Sequence, residues 1–383
     1  MTFLIDPRSL ERAVAFRRAL HAAPELSGEE QHTAATVVSL VSATNPSQVL
    51  TGLGGHGVAA VYDSGQPGPT VLLRCELDGL PIEDTATAPW RSTIAGKGHQ
   101  CGHDGHMATL ALLAMTFGEQ RPARGRVVLM FQPAEENGAG ARAVVADPAF
   151  AAIAPDISFA WHNMPGLPLG EAWLAPGVVN CASRGMKIGF AGKTSHASEP
   201  ENGISPMPAI ASLMTALAAL GPRAQGGPLA MATVTHAAMG AAAFGVSPGA
   251  GEVWATLRTL TDTGMDDLVA RATLLAQAAA ADNGLRVAIS FHEVFAHVEN
   301  APAAVAELAR AMDAEGVKHS PGRLPFRASE DFGIFGHAAP SAMVFIGAGE
   351  RHPSLHNPDY DFPDALLPIA ARVLGRAARQ LVG

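Results

Sequence analysis

The chain has 383 residues, of which 48% are apolar, 16% are charged and only 5% are aromatic. At about 150 residues per domain this length allows two domains, and the balance of 26 basic against 35 acidic residues argues against a nucleic-acid-binding protein, which needs a basic face. No apolar run reaches the roughly 18 residues of a membrane helix, the N-terminal residues lack the apolar segment of a signal peptide, and three cysteines form no disulfide framework, so we expect a cytoplasmic protein.

Two helices are predicted at the start of the chain, over residues 8–22 and 29–41, and Pro24 ends the first of them. Short apolar runs bounded by turn residues then predict buried strands. These strands are expected at 58–62, 70–76, 126–131, 157–161 and 342–346, with helices over 106–117 and 139–146 between them. Because strands alternate with helices, we predict an α/β fold with a mostly parallel sheet that is covered on both faces.

The middle of the chain has a different pattern of elements. The expected order there is strand 186–190, helix 206–220, strands 231–237 and 252–259, helix 265–281 and strand 285–291. This β-α-β-β-α-β order is typical of a ferredoxin-like unit. We therefore predict that residues 183–296 form an inserted domain, and that residues 1–182 and 297–383 together form the other domain.

Polar clusters follow three of the predicted strands. Arg74–Asp78, Gln132–Glu136 and His162–Asn163 each come directly after an apolar run. In open α/β sheets the carboxyl ends of the strands form the ligand crevice. We therefore expect these acids and this histidine to converge on one site.

A fourth cluster spans His99–His106, just before an apolar helix. Cys101 and His103 are spaced as metal ligands on a tight glycine-containing loop, and thiolate, imidazole and carboxylate are the usual ligands of zinc and related ions. An isolated cysteine more often fills the core, which is our interpretation of Cys75 and Cys181. Three histidines close to Cys101 favour a metal site instead.

The adjacent pair Glu135–Glu136 ends a buried strand, which favours a crevice over a solvated face. Neighbouring residues of a loop point in different directions, so one carboxylate could bind metal while the other stays free as a base. That division suits metal-assisted hydrolysis. Near the C-terminus His356 fits a late ligand, whereas His352 fits an exposed loop.

Together these clusters resemble the dinuclear-metal amidohydrolases of the metallopeptidase family that contains aminoacylases, hippurate hydrolases and plant auxin-conjugate hydrolases. The resemblance covers nearly the whole chain. Its motifs are, in chain order, Leu20–Ser27, Leu72–Pro81, His99–His106, Phe131–Glu136, Trp161–His162, Ser195–Ser198, Ser329–Phe332 and Leu355–Phe362.

The resemblance implies two divalent metal ions per subunit, manganese or zinc, with cobalt or nickel also possible. The implied ligands are Cys101, His103, Glu136, His162 and His356. By the same matching Glu135 is the general acid/base, Asp78 orients a ligand or the base, and His196 stabilises the oxyanion. Arg258 would bind the substrate carboxylate or, as a strand arginine, lie at the surface. The resemblance also implies a homodimer through the inserted lid domain, with His196 often reaching the partner's site in relatives.

Three positions depart from the family pattern. Glu76 and Ser205 stand where relatives usually have aspartate, and Gly245 stands where the lid commonly has asparagine. No expected ligand or base is lost, so these departures bear on the substrate more than on catalysis.

The leading hypothesis is the hydrolysis of small N-acyl amino acids, hippurate-like or N-acetylated, to a carboxylate and a free amino acid. A second hypothesis is a dipeptidase or aminopeptidase, in which Glu330 or Asp331 would hold the free α-amine. A third is a non-catalytic metal-binding protein, which would not need a free base at Glu135.

Overall fold

The computed structural model describes residues 3–221 and 229–383. Within these ranges the helices are α1 (Pro7–His21), α2 (Gln31–Ser42), α3 (His103–Glu119), α4 (Gly140–Ala146), α5 (Met207–Ala218), α6 (Asp262–Asp282), α7 (Pro302–Glu315) and α8 (Leu366–Val382). The strands are β1 (Gln48–Leu53), β2 (Gly57–Asp63), β3 (Thr70–Glu76), β4 (Arg126–Gln132), β5 (Ile157–Pro165), β6 (Ala172–Trp173), β7 (Gly177–Asn180), β8 (Ala182–Ala191), β9 (Ser195–His196), β10 (Ala230–Met239), β11 (Val246–Ser247), β12 (Ala250–Thr259), β13 (Arg286–Phe295), β14 (Val298–Asn300), β15 (His319–Ser320) and β16 (Ser341–Gly349). None of the helices in these two ranges is long and apolar enough to cross a membrane.

The chain divides into two compact units. The first contains the described residues up to Val179 together with Val298–Leu324 and Glu330–Gly383, and the second contains Asn180–His297 together with Pro325–Ser329. The sequence analysis placed residues 325–329 in the domain formed by residues 1–182 and 297–383, not in the inserted domain. This segment belongs to the second unit because Cys181 N–H donates to the carbonyls of Phe326 and Ala328, both at 3.2 Å.

The first unit is built on a mixed, mostly parallel sheet with the strand order β1-β2-β4-β3-β5-β16-β6-β15. Strand β3 lies between β4 and β5 and is parallel to both. Its residues are buried throughout, as expected for a central strand that is covered on both faces. The predicted α/β class with a mostly parallel sheet is therefore confirmed for this unit.

Several elements of the first unit differ from their predicted limits. Strand β1 was not among the predicted strands, and it pairs antiparallel with β2. Helix α3 begins at His103, three residues before its predicted start, and it is buried along nearly its whole length. The apolar pattern alone could not place that start because the polar residues of the first turn, His103 and Asp104, are buried like the apolar residues that follow them.

The second unit contains the order β8-α5-β10-β12-α6-β13. These strands form an antiparallel sheet with the order β10-β12-β8-β13. Alternate residues of β8, among them Met186 and Ile188, are buried in a core shared with Leu213 of α5 and Leu268 of α6. Period-two alternation on the strands and an apolar stripe on each helix thus build a two-layer unit.

Candidate metal centre

The sheet of the first unit brings three polar clusters to one edge. Parallel strands β3, β4 and β5 are neighbours, and the clusters after β3 and β4 and around His162 lie at their carboxyl ends. Strand β5 continues to Pro165, so His162 lies within it rather than after it. The sequence-predicted ligands and base of the first unit converge on this edge, as described below.

The loop before α3 carries Cys101 and His103. Gly102 caps the helix with φ 89°, and a Cβ there would lie 2.7 Å from Asn163 Oδ1, so both the backbone conformation and the space require glycine. This turn places Cys101 and His103 with His162 in one donor group, whose ligand atoms lie within 4.8 Å of one another.

Backbone carbonyls fix how the two imidazoles face this group. His103 Nδ1 lies 2.8 Å from the carbonyl of Asp78, and His162 Nδ1 lies 2.8 Å from the carbonyl of Asn163. Because a carbonyl only accepts, both rings donate at Nδ1 and present the lone pair of Nε2 to the site. Burial is the main cause that lowers the pKa of His162, to about 3, and the nearby His106 is the second cause. The ring is therefore neutral, as a metal ligand must be.

The adjacent carboxylates after β4 share one donor group with His103, and each also enters a second group. Glu136 joins Cys101 and His356, whereas Glu135 joins Glu330 and a neighbouring aspartate. Both carboxylates come within 3.8 Å of His103 Nε2. Burial is the largest cause that raises the pKa of both groups, that of Glu136 to about 7.

His356 reaches the site from the C-terminal loop. Its φ of 64° lies in the left-handed region, and its N–H donates to the carbonyl of Gln100 at 2.9 Å. Its Nε2 lies 3.7 Å from Glu136 Oε2. Burial, followed by His103, lowers the pKa of His356, so this ring is also a neutral donor.

Asp78 connects these parts. Its Oδ2 accepts from Ser27 Oγ at 2.7 Å and from the N–H of Glu136 at 2.9 Å, and its Oδ1 lies 3.5 Å from His103 Nδ1. Burial would raise the pKa of Asp78, but these hydrogen bonds and the His103 ring lower it, so the carboxylate stays charged.

The donor atoms fit a pair of divalent cations. Three of them are buried without a hydrogen-bond partner, namely His103 Nε2, Glu136 Oε1 and Asp78 Oδ1, and such atoms are costly to bury alone. Burial would lower the pKa of His103, but the hydrogen bond with Asp78 and the other nearby carboxylates raise it to about 10. Without a cation the ring therefore holds a proton at Nε2, and a bound cation would replace that proton and take up the lone pair. Cys101 belongs to two donor groups, and its thiolate would supply a ligand suited to zinc and related ions.

Arg74 is a buried residue of the site to which the sequence analysis gave no role. Its Nη2 pairs with Glu330 Oε1 at 2.9 Å and Asp331 Oδ1 at 2.6 Å, and its Nη1 contacts Glu76. An arginine within the apolar run of β3 was the available signal, because a buried cation requires carboxylates around it. Glu330 and Asp331, which the peptidase hypothesis offered to a substrate amine, are both engaged by Arg74.

His106 was likewise singled out only as part of its cluster. Its Nδ1 lies 2.6 Å from Glu76 Oε2 and its Nε2 lies 2.6 Å from Asn163 Oδ1. The second oxygen of Glu76 contacts Arg74, so the glutamate that replaces the usual aspartate bridges the arginine and the histidine.

The two remaining predicted site residues belong to the second unit. His196 is exposed on β9, opposite Val246 of β11, with its Nδ1 2.7 Å from Ser198 Oγ. Arg258 donates to Ser329 Oγ at 2.7 Å and contacts the carbonyl of Arg327, and burial lowers its pKa.

Two departures from the family pattern also lie in the second unit. Ser205 Oγ accepts from the N–H of Met207, the first residue of α5, at 3.3 Å. At Gly245 a Cβ would meet nothing within 4 Å, so a larger residue would fit there.

The sequence was compared with known families and proteins. The profile of Peptidase family M20/M25/M40 matches residues 72–380. Hippurate hydrolase of Campylobacter jejuni is 30% identical over 366 residues, covering 94% of this chain and 94% of that protein. The IAA-amino acid hydrolase ILR1-like 5 of Arabidopsis thaliana is 30% identical over 95% of this chain and 85% of that protein.

Solved structures give the same picture of the fold. An aminohydrolase from methicillin-resistant Staphylococcus aureus superposes with a TM-score of 0.86 at 26% identity, covering 98% of this chain and 97% of that chain. A dinuclear metal-binding peptidase of the M20 family from Bacillus subtilis superposes with a TM-score of 0.82 at 24% identity, covering 98% of this chain and 99% of that chain.

Proposed function

The chain belongs to peptidase family M20/M25/M40, and from this membership we propose that it hydrolyses small N-acyl amino acids to a carboxylate and a free amino acid. The observation that carries the proposal is a pair of adjacent carboxylates that share the donor group around His103 but differ in their other neighbours. Glu136 also lies with the donors Cys101 and His356, whereas Glu135 also lies with Glu330 and Asp331. A protein that only stored metal would need the first carboxylate but not the second.

We propose that Cys101, His103, His162, Glu136 and His356 hold two divalent ions, manganese or zinc, or else cobalt or nickel. Bound there, such ions would polarise the amide carbonyl and acidify the attacking water. His103 and His162 keep their Nε2 lone pairs aimed inward through the carbonyls that accept from Nδ1. Asp78 holds both His103 and the backbone of Glu136, so it aligns two ligands together.

Glu135 would move the proton. Its Oε2 lies 3.8 Å from His103 Nε2, at the border of the donor groups, where it can take a proton from the attacking water. The same oxygen would then give that proton to the leaving nitrogen, which departs as the amine. Burial of Glu135 beside Glu330 raises its pKa, which favours the protonated carboxyl between the two transfers. Cations bound beside it would oppose that rise and keep the resting group a carboxylate.

Residues of the second unit would act on the substrate. We propose that His196 donates to the carbonyl oxygen as negative charge develops there, and that Arg258 pairs with the substrate carboxylate. We further propose a homodimer formed through this unit. The outer strands of its sheet are β10 and β13, and such strands carry backbone groups available for pairing with a second copy.

The proposal is tested by stripping the enzyme with a chelator, reloading it with manganese, zinc, cobalt or nickel, and assaying a panel of acyl groups on several amino acids. Free-amine dipeptides serve as the comparison, because a peptidase would prefer them. Activity that survives complete removal of metal would contradict the mechanism.

Two neighbouring variants separate the roles of the carboxylates. Glu135→Gln should bind metal as the wild type does and lose at least ~100-fold in kcat. Glu136→Gln should lose metal affinity, measured by calorimetry. Unchanged hydrolysis by Glu135→Gln would show that the base is another group.

A further inference from the structure

We propose that Glu30 is a positioning residue for Glu135 and acts through the backbone of Ala134. The inference rests on the proposed function, since Glu135 is the base of that reaction. Glu30 lies just beyond the Leu20–Ser27 motif, a part of the chain to which neither the sequence analysis nor the mechanism gives a catalytic role.

Glu30 is fully buried at the N-cap of α2. Its Oε1 accepts from the N–H of Ala134 at 2.7 Å, across 104 residues of sequence, and its Oε2 has no hydrogen-bond partner. A buried carboxylate is costly. The hydrogen bond to Ala134 is its long-range contact, so we infer that holding Ala134 is the reason that Glu30 is buried there.

The backbone that Glu30 holds is strained. Ala134 has φ 51°, in the left-handed region that alanine disfavours. Its carbonyl accepts from Gly140 N–H at 3.0 Å, while Glu30 holds its N–H, so the strained residue is fixed on both sides. Such conformations persist only where the surroundings enforce them, and they cluster at functional sites.

The conformation at residue 134 sets the direction of the next side chain. The carbonyl of Glu135 accepts from Gly138 N–H at 2.8 Å, and the N–H of Glu136 donates to Asp78 at 2.9 Å. With these later groups fixed, rotation at Ala134 would move Glu135 and leave Glu136 held. Glu30 thus orients the base independently of the metal ligand beside it.

The test uses Glu30→Ala and the double variant Glu30→Ala/Ala134→Gly in the metal-loaded enzyme, with the acyl amino acid that the wild type hydrolyses fastest. Glu30→Ala should lower kcat by ~10–100-fold, because misplacing a catalytic group by about 1 Å costs on the order of 10²-fold, with KM changed by less than about threefold. Glycine adopts positive φ without strain. Adding Ala134→Gly should therefore restore about 5-fold of the lost kcat.

Two further variants keep the test independent of folding. Glu30→Gln retains an acceptor oxygen and should lose less than about threefold in kcat, whereas Glu30→Met fills the volume without an acceptor and should behave as Glu30→Ala. Glu25→Ala is the matched control. Glu25 lies in the same segment and accepts from Thr33 N–H at 2.7 Å. Glu25→Ala should therefore lower stability, and adding Ala134→Gly to it should not raise kcat.

A readout apart from activity accompanies these assays. In a crystal structure of metal-free Glu30→Ala, residue 134 should leave the positive-φ region, while manganese or zinc affinity measured by calorimetry stays within about threefold of wild type. Wild-type kcat in Glu30→Ala, or an unchanged residue 134 in that structure, would overturn the positioning role. A wild type that is inactive on every substrate would sink the proposed function alone, because the structure of the variant still tests Glu30.

Discussion

His21 offers a test of electrostatics that does not depend on the proposed reaction. It lies in the last turn of α1 and is fully buried. Its Nδ1 is 2.9 Å from Asp104 Oδ2, and its Nε2 is 3.2 Å from Asp84 Oδ2. Burial by itself would lower its pKa, but these carboxylates outweigh burial and raise the pKa to about 10. The ring is therefore charged in the folded protein at neutral pH.

The pKa of His21 fixes the direction and size of its effect on stability. Raising a pKa from 6.5 to about 10 corresponds to about 5 kcal/mol of stabilisation, since each pKa unit is worth about 1.4 kcal/mol. Because the folded state binds the proton more tightly, this contribution is complete below pH ~6.5 and is lost as the pH rises towards ~10. Between pH 7 and pH 9 the loss is roughly 2–3 kcal/mol.

The measurement is urea unfolding of wild type and His21→Gln at several pH values. The glutamine keeps an amide donor for Asp104 but cannot gain the proton. The difference in the free energy of unfolding between the two proteins should shrink by roughly 2–3 kcal/mol from pH 7 to pH 9. His32→Gln, at an exposed histidine of α2, is the control for the substitution itself. An equal difference at pH 7 and pH 9 would refute the charged assignment of His21.

Three further changes test the site itself. Gly102→Ala forces a Cβ to within 2.7 Å of Asn163 Oδ1 at φ 89°, so it should cost about 1–3 kcal/mol and weaken zinc binding; unchanged metal affinity would contradict the role of this turn. Glu76→Gln removes a buried partner of Arg74 and should cost roughly 3–5 kcal/mol in urea unfolding, whereas a cost below about 1 kcal/mol would count against the buried cluster. Arg258→Met should raise KM for N-acyl amino acids about 10-fold or more and leave substrates without a carboxylate unaffected; equal effects on both would rule out carboxylate pairing.

Two of the three departures from the family pattern, Ser205 and Gly245, lie in the second unit. The space around Gly245 would admit a side chain, and Gly245 accepts from Ala197, the residue after His196, at 3.1 Å. A larger acyl group is one use for that space, which the acyl panel would reveal.

Local sequence determined the identity of the elements and the residue types of the site. Apolar runs located β3 with its observed limits and β4 to within one residue, because a buried strand needs a continuous apolar run. Strand-end acids and the cluster around Cys101 indicated metal chemistry, because ligand type follows from side-chain chemistry alone.

Tertiary structure alone decided how those residues are held. Arg74 contacts Glu330 and Asp331, which lie more than 250 positions away in the sequence. Glu30 contacts Ala134, which lies 104 positions away. No local pattern encodes such contacts, because they follow from which strands become neighbours. The sequence could name the two carboxylates at 135 and 136, but the strained residue before them and the neighbours that each carboxylate meets come from the fold.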